Sequence, residues 1–215
     1  MTPDQLPHDP ALPHLAQALD GTAMATVLAD SRRDADRARD VWRHPAETPV
    51  VALFEALLAD PGPVYERRRL AGHFTGSAWL VDASGQRVLL THHRKLGRWL
   101  QLGGHADGDA NLAAVALKEA EEESGLADLV VEPLIFDLDR HAIPARGDEP
   151  EHWHYDVRFV VRATGSEDFA VGEESLDLAW KPVDGIVADP AADESLRRMA
   201  EKWLRRDRRT HPSSY

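Results

Sequence analysis

GGHADGDANLAAVALKEAEEESGL, residues 103–126, places Glu119, Glu121, Glu122 and Glu123 in little more than one helix turn, directly behind a Gly-Gly pair. Like charges at that spacing repel. At roughly 100° per residue, Glu119, Glu122 and Glu123 fall on about one-third of the helix circumference, and Glu121 points away. Asp109 or Asn111 can cap the helix at its start, and Gly125 is placed to stop it. Leu112, Val115, Ala116 and Ala120 form a small apolar side suited to packing on a sheet. Three carboxylates on one wall offer only oxygen donors, which suits Mg²⁺ or Mn²⁺ rather than zinc. The plainer alternative is a solvated acidic face on which Lys118 pairs with Glu122 at i+4.

The chain around this helix alternates patterns. Residues 12–43 are helical in spacing, with Gly21 as a break and Thr22 as a cap, and a second helix is expected over 48–60, stopped by Pro-Gly-Pro at 61–63. From there the pattern turns strand-like. Strands are expected over 72–82, 86–93, 98–104, 128–143, 152–165 and 176–183, with an amphipathic helix over 193–206. This order indicates an α/β fold, a sandwich with a mixed sheet preceded by a helical N-terminal extension. The expected division is residues 1–65 as extension, 66–207 as the α/β domain and 208–215 as a flexible tail. Segment 12–60 has three uses open to it: packing on the domain, covering its site, or forming a homodimer.

The glycine-to-leucine register of the opening stretch resembles the box of the Nudix hydrolase family. That pattern is Gly, five residues, Glu, seven residues, then Arg-Glu-aliphatic-x-Glu-Glu-x-Gly-aliphatic. Gly104, Glu119, Glu122, Glu123, Gly125 and Leu126 match it; Ala110 stands for the first Glu, Lys118 for Arg, and Ala120 for the first aliphatic. Lys118 keeps the charge without the bidentate fork, and Asp107 and Asp109 stand beside the position that lost its carboxylate. The resemblance implies a Nudix α/β/α sandwich over roughly residues 70–206. It also implies Mg²⁺-dependent (or Mn²⁺-dependent) hydrolysis of a phosphoanhydride bond in a nucleoside diphosphate linked to another moiety, as in ADP-ribose-like or nucleotide substrates. Glu119, Glu122, Glu123 and the Gly104 carbonyl would hold the metal. Glu122 is one candidate base for the attacking water, and Glu173 or Glu174 in the loop before Trp180 is another.

Eleven histidines enrich the same region, among them His92, His93, His105, His141, His152 and His154. His105 directly follows Gly103-Gly104. His152 and His154 share one side of a strand, with Trp153 and Tyr155 on the other. His105, His152, His154 and Arg140 are the substrate-binding candidates, and the histidines could also hold a second metal. The G-x-x-x-x-H-x-H spacing at His152 and His154 is similar to the start of a cupin metal motif, but the glutamate expected shortly after it is missing. A third class is a catalytically silent Nudix-like sensor that binds a nucleotide and signals through its N-terminal helices.

Bulk properties bound the partners. The 215 residues carry 25 basic and 37 acidic groups, a net charge of −12, which opposes duplex nucleic-acid binding. It does not oppose a phosphorylated small molecule, for which a divalent cation supplies the positive charge. There is no cysteine, hence no disulfide, thiolate nucleophile or Cys-ligated zinc. No apolar run reaches membrane-spanning length, and the opening MTPDQLPHDP does not read as a signal peptide, so a soluble cytoplasmic protein is expected.

Overall fold

The computed structural model describes residues 48–210, apart from 95, 148 and 172–174. The helical pattern over 12–43, the Thr22 cap, Glu173, Glu174 and residues 211–215 lie outside the described residues. Among those described, no helix is long and apolar enough to cross a membrane.

Helix α1 (Thr48–Leu58) buries Val51, Phe54 and Leu57, which recur at the helical period, and leaves Leu53 exposed. It ends in a turn where the Asp60 carboxylate accepts the Gly62 N–H at 2.7 Å and an Arg69 N–H at 2.6 Å. The Phe54 ring meets Tyr155 edge-on, with centroids 5.3 Å apart, and lies 6.0 Å from Phe74. The expected division assigns α1 to the extension, yet the helix shares its core with the sheet.

Among the described residues the sheet has seven strands, β1 (His73–Val81), β2 (Arg87–His93), β3 (Arg98–Leu100), β4 (Leu102–His105), β5 (Leu129–Ile143), β6 (His152–Ala163) and β7 (Ser175–Pro182). Central β1 runs parallel to β6 along its whole length, and β6 pairs antiparallel with β5. On its other side β1 pairs antiparallel with β4 and, at Val81, with β2; β2 in turn carries β3 and β7. The run expected as one strand over 98–104 is two: the chain changes partner at Gln101, from β2 to β1.

Every residue of β1 is buried because both faces of the sheet are covered. Phe74, Ala78 and Leu80 face the side of α2 (Leu112–Ser124), whereas Trp79 and Val81 pack with α4 (Glu194–Thr210). A short helix, α3 (Val183–Ala188), precedes α4; at six residues, with only Val183 and Ile186 buried, it leaves too little periodicity to read from sequence. Helix α4 runs on to Thr210, so the tail expected from 208 begins in helix. Helices on both faces of a mixed sheet make the expected α/β/α sandwich.

Candidate active site

The caps of α2 set its rotation. Asn111, rather than Asp109, is the N-cap: its side-chain oxygen accepts the Ala114 N–H at 3.1 Å. Gly125 adopts φ 67° and donates its N–H to the Glu121 carbonyl at 2.8 Å, a left-handed stop that a glycine makes without steric cost. Between the caps, Leu112, Ala113, Val115, Ala116 and Ala120 are buried, and Glu121 is exposed on the far side.

The acids meet the strand β4 backbone. Gly103 donates its N–H to Glu123 Oε1 at 2.8 Å. A Cβ on Gly104 would lie 2.5 Å from the Glu119 carboxyl carbon, so Glu119 sits in the space that a side chain there would fill. Glu119 is consequently 18% exposed, whereas Glu122 is 60% exposed. Lys118 Nζ lies 3.4 Å from Glu122 and 3.9 Å from Glu119, so the i,i+4 pair of the plainer reading is formed. It coexists with the seating of the other two acids on the glycines. An oxygen-only donor set held against a bare backbone bend fits a hard divalent cation. Asp107 and Asp109, next to the carboxylate-free Ala110, are both engaged locally. Asp107 accepts two bonds from Arg67, one at 2.7 Å, and Asp109 accepts the Asn111 N–H at 2.8 Å.

Gly104→Ala is a sharp probe of this seating. The atoms that the new methyl meets are the far end of one flexible side chain, so the carboxylate swings out and the backbone stays. The expected result is a melting temperature near wild type with turnover down by about tenfold or more, since a displacement near 1 Å is costly in a positioned site. A variant that melts early, or one with unchanged turnover, contradicts the seating.

The opposite face of the sheet is polar at period two. It carries His73, Thr75 and Ser77 from β1, His105 from β4, Asp137, Asp139 and His141 from β5, and His152, His154, Asp156 and Arg158 from β6. At its middle is a buried ionic network. Arg158 reaches Asp156 at 2.7 Å, Asp137 at 3.1 Å and Asp139 at 3.3 Å. From α4, Arg198 reaches Asp137 at 2.7 Å and Asp139 at 2.9 Å, and Lys202 reaches Asp137 at 3.1 Å and the Phe136 carbonyl. Thr75 and Ser77 donate to Asp156 at 2.9 and 2.7 Å. Burial alone would raise the pKa values of Asp137 and Asp139. The cations around Asp137, and the His141 hydrogen bond with Arg158 and Arg198 around Asp139, outweigh it and hold both well below the ordinary carboxylate range.

Toward the other end of that face lie four imidazoles. The structure brings His105, His152 and His154 together and adds His73, which the sequence reading did not single out. The signal was slight: His73 opens a strand, and only the long-range register His73 opposite His154 and Thr75 opposite His105 assembles the group. This end of the face is interior, and His152 is 2% exposed. Burial, reinforced by neighbouring charges and imidazoles, lowers the pKa of His105 to about 4 and that of His154 to about 2, and also lowers that of His73. His141 borders the group with its ring 5.5 Å from His154, whereas the His92 ring lies tilted against Trp99 at 5.2 Å elsewhere. Arg140 does not join the histidines. It lies on the face of Trp153 and Tyr155, with its guanidinium 3.5 Å from the Trp153 ring centroid.

The class of protein that emerges is an α/β/α hydrolase in which a helix presents carboxylates to a glycine bend. The family model described as the NUDIX domain matches residues 73–203, more than half of the chain, and the protein belongs to that family. It is a pyrophosphohydrolase, an enzyme acting on acid anhydrides with a divalent metal ion. The fold excludes the cupin reading. Among solved structures, the MutT protein from Methanosarcina mazei Go1 is 17% identical, over 65% of this chain and 97% of that one, with a TM-score of 0.50. A C. elegans Ap4A hydrolase binary complex is 14% identical over 61% and 95%, with a TM-score of 0.49. The NUDIX domain of Shewanella oneidensis NrtR complexed with ADP ribose is 20% identical over 74% and 98%, with a TM-score of 0.44. At 17% identity the likeness to the MutT protein concerns the fold. No curated protein matches the chain in sequence.

Proposed function

We propose that the enzyme cleaves a phosphoanhydride bond in a nucleoside diphosphate linked to another moiety, an ADP-ribose-like or nucleotide substrate, with Mg²⁺ or Mn²⁺ held by Glu119, Glu122, Glu123 and the Gly104 carbonyl. The observation that carries this reading is the seating of Glu119 on Gly104 and of Glu123 on the Gly103 N–H. Bound there, the ion would neutralise phosphate charge and acidify a water. The residues divide the remaining work. Glu119 and Glu123 are fixed by backbone and suit a holding role, whereas Glu122, open to solvent, can take the proton from the attacking water. As that water oxygen bonds to phosphorus, the bond to the bridging oxygen breaks and the leaving phosphate departs with the electron pair. Glu174, which lies outside the described residues, is the second base candidate. Arg140 is left out of the proposal because its guanidinium already lies over the Trp153 ring.

A panel of ADP-ribose, nucleoside triphosphates, dinucleoside polyphosphates and NADH, each with Mg²⁺ and with product identification, tests the proposal. Metal-dependent release of a phosphorylated product from at least one diphosphate-linked substrate is expected. Nucleotide binding without turnover anywhere on the panel would favour the silent sensor instead.

A further inference from the structure

We propose that His73, His105, His152 and His154 bind one divalent transition-metal ion of borderline softness, Zn²⁺ foremost, at a site distinct from the carboxylates of α2. One ligand nitrogen from each of the four side chains lies within 4.8 Å of all the others. The residues come from three strands, β1, β4 and β6, so local sequence does not explain their convergence.

The hydrogen bonds around the group aim it inward. His73 Nδ1 lies 3.2 Å from the Arg69 carbonyl oxygen, and His152 Nδ1 lies 2.9 Å from that of Pro150. A carbonyl oxygen can only accept, so each Nδ1 carries the hydrogen and each Nε2 presents its lone pair to the centre. Backbone partners of this kind commonly orient metal-bound imidazoles. His152 Nε2 and His154 Nε2 are 3.1 Å apart, close to the ~3.3 Å edge of a tetrahedron with Zn–N bonds of about 2.0–2.1 Å.

Without an ion the group is poorly satisfied. His152 and His154 can hydrogen-bond to each other, but Nε2 of His73 and Nε2 of His105 are buried with no hydrogen-bond partner. His73 as a whole is 1% exposed. Buried polar atoms are rarely left in this state. A single cation satisfies all four nitrogens at once. An all-imidazole donor set favours Zn²⁺ and its neighbours over Mg²⁺. Glu149 Oε1, 3.8 Å from His152 Nε2, supplies an outer negative charge. Four protein ligands close the coordination sphere, which marks a structural ion rather than a catalytic one. Through His105 the ion would fasten the residue next to Gly104, and with it the bend on which Glu119 sits.

The test uses the full chain after removal of metals with a chelator. Zn²⁺ is titrated against a chromophoric competitor, and Co²⁺ binding is followed by visible absorption. One equivalent of Zn²⁺, a tetrahedral Co²⁺ spectrum and a rise in melting temperature with Zn²⁺ are expected for the wild type and equally for the Glu119→Gln/Glu123→Gln variant. His154→Ala should weaken Zn²⁺ binding by at least ~100-fold, since loss of an outer-sphere partner alone costs 10–100-fold. His105→Gln carries the same expectation if His154→Ala does not fold. Binding that survives loss of the histidine, or that disappears with the glutamates instead, overturns the proposal, as does a wild-type chain that binds no Zn²⁺ at micromolar concentration. These readouts need no hydrolysis, so they fail separately from the proposed activity.

Discussion

Glu123→Gln is expected to lower kcat by about 10²–10³-fold with the fold intact, since several kcal/mol of charge stabilisation in the transition state depend on the ion that the acid holds. The amide keeps an oxygen at the position that accepts the Gly103 N–H, so the contact with the bend survives and only the charge is lost. That separation makes the variant informative. The apo protein should be as stable as wild type or slightly more so, because one of four like charges in a helix turn has gone. Steady-state kinetics on the best panel substrate, with thermal melting of the same preparation, checks both halves. Near-normal turnover would show that the α2 acids do not hold the working ion.

Asp137→Asn should give the largest loss of stability, about 3–5 kcal/mol, as expected when one partner of a buried ion cluster is removed. Asp137 is fully buried and takes ion pairs from Arg158, Arg198 and Lys202. In the wild type, Asp137, Asp139 and Asp156 offset the same number of cations; the amide leaves three cations against two carboxylates. Arg158 is itself buried and has no solvent to turn to. A fall in melting temperature of roughly 10 °C or more follows for a domain of this size. The pH dependence has a definite sign. Both Asp137 and Asp139 are held below the ordinary aspartate pKa of 3.8, so their contribution is complete above that pH and is lost as pH falls toward the folded-state values. Wild-type stability should therefore drop on acidification below about pH 4, and the variant should show a shallower drop. Denaturant unfolding at neutral and acidic pH measures this; a variant within ~1 kcal/mol of wild type at neutral pH would mean that the network is not stabilising as drawn.

Much of the architecture was legible because it rests on local rules. The α2 helix could be placed from its glycines, a cap at Asp109 or Asn111 and its apolar side, and apart from the run over 98–104, which is two strands, the strands fell within a few residues of their observed ends. That Glu119 and Glu123 seat directly on the two glycines is seen only in the structure. What escaped the sequence depends on register between distant strands. Residues 137, 139 and 141 alternate as Asp, Asp, His inside an otherwise strand-like run, a period-two hint of a polar face. Only the pairing with Arg158 and with α4 shows that this face is internal. His73 escaped for the same reason, since its neighbours in space come from β4 and β6. Arg140 shows the converse: period two places it with Tyr155 and Trp153, away from His141 beside it in sequence.

The most direct test is Mn²⁺ binding to the full chain, followed by electron paramagnetic resonance, in the wild type and in the Glu119→Gln/Glu122→Gln/Glu123→Gln variant. A bound, oxygen-ligated Mn²⁺ without imidazole nitrogen coupling is expected in the wild type, and its loss in the variant. Equal Mn²⁺ binding by both proteins, or nitrogen coupling that places the ion among the histidines, would contradict it.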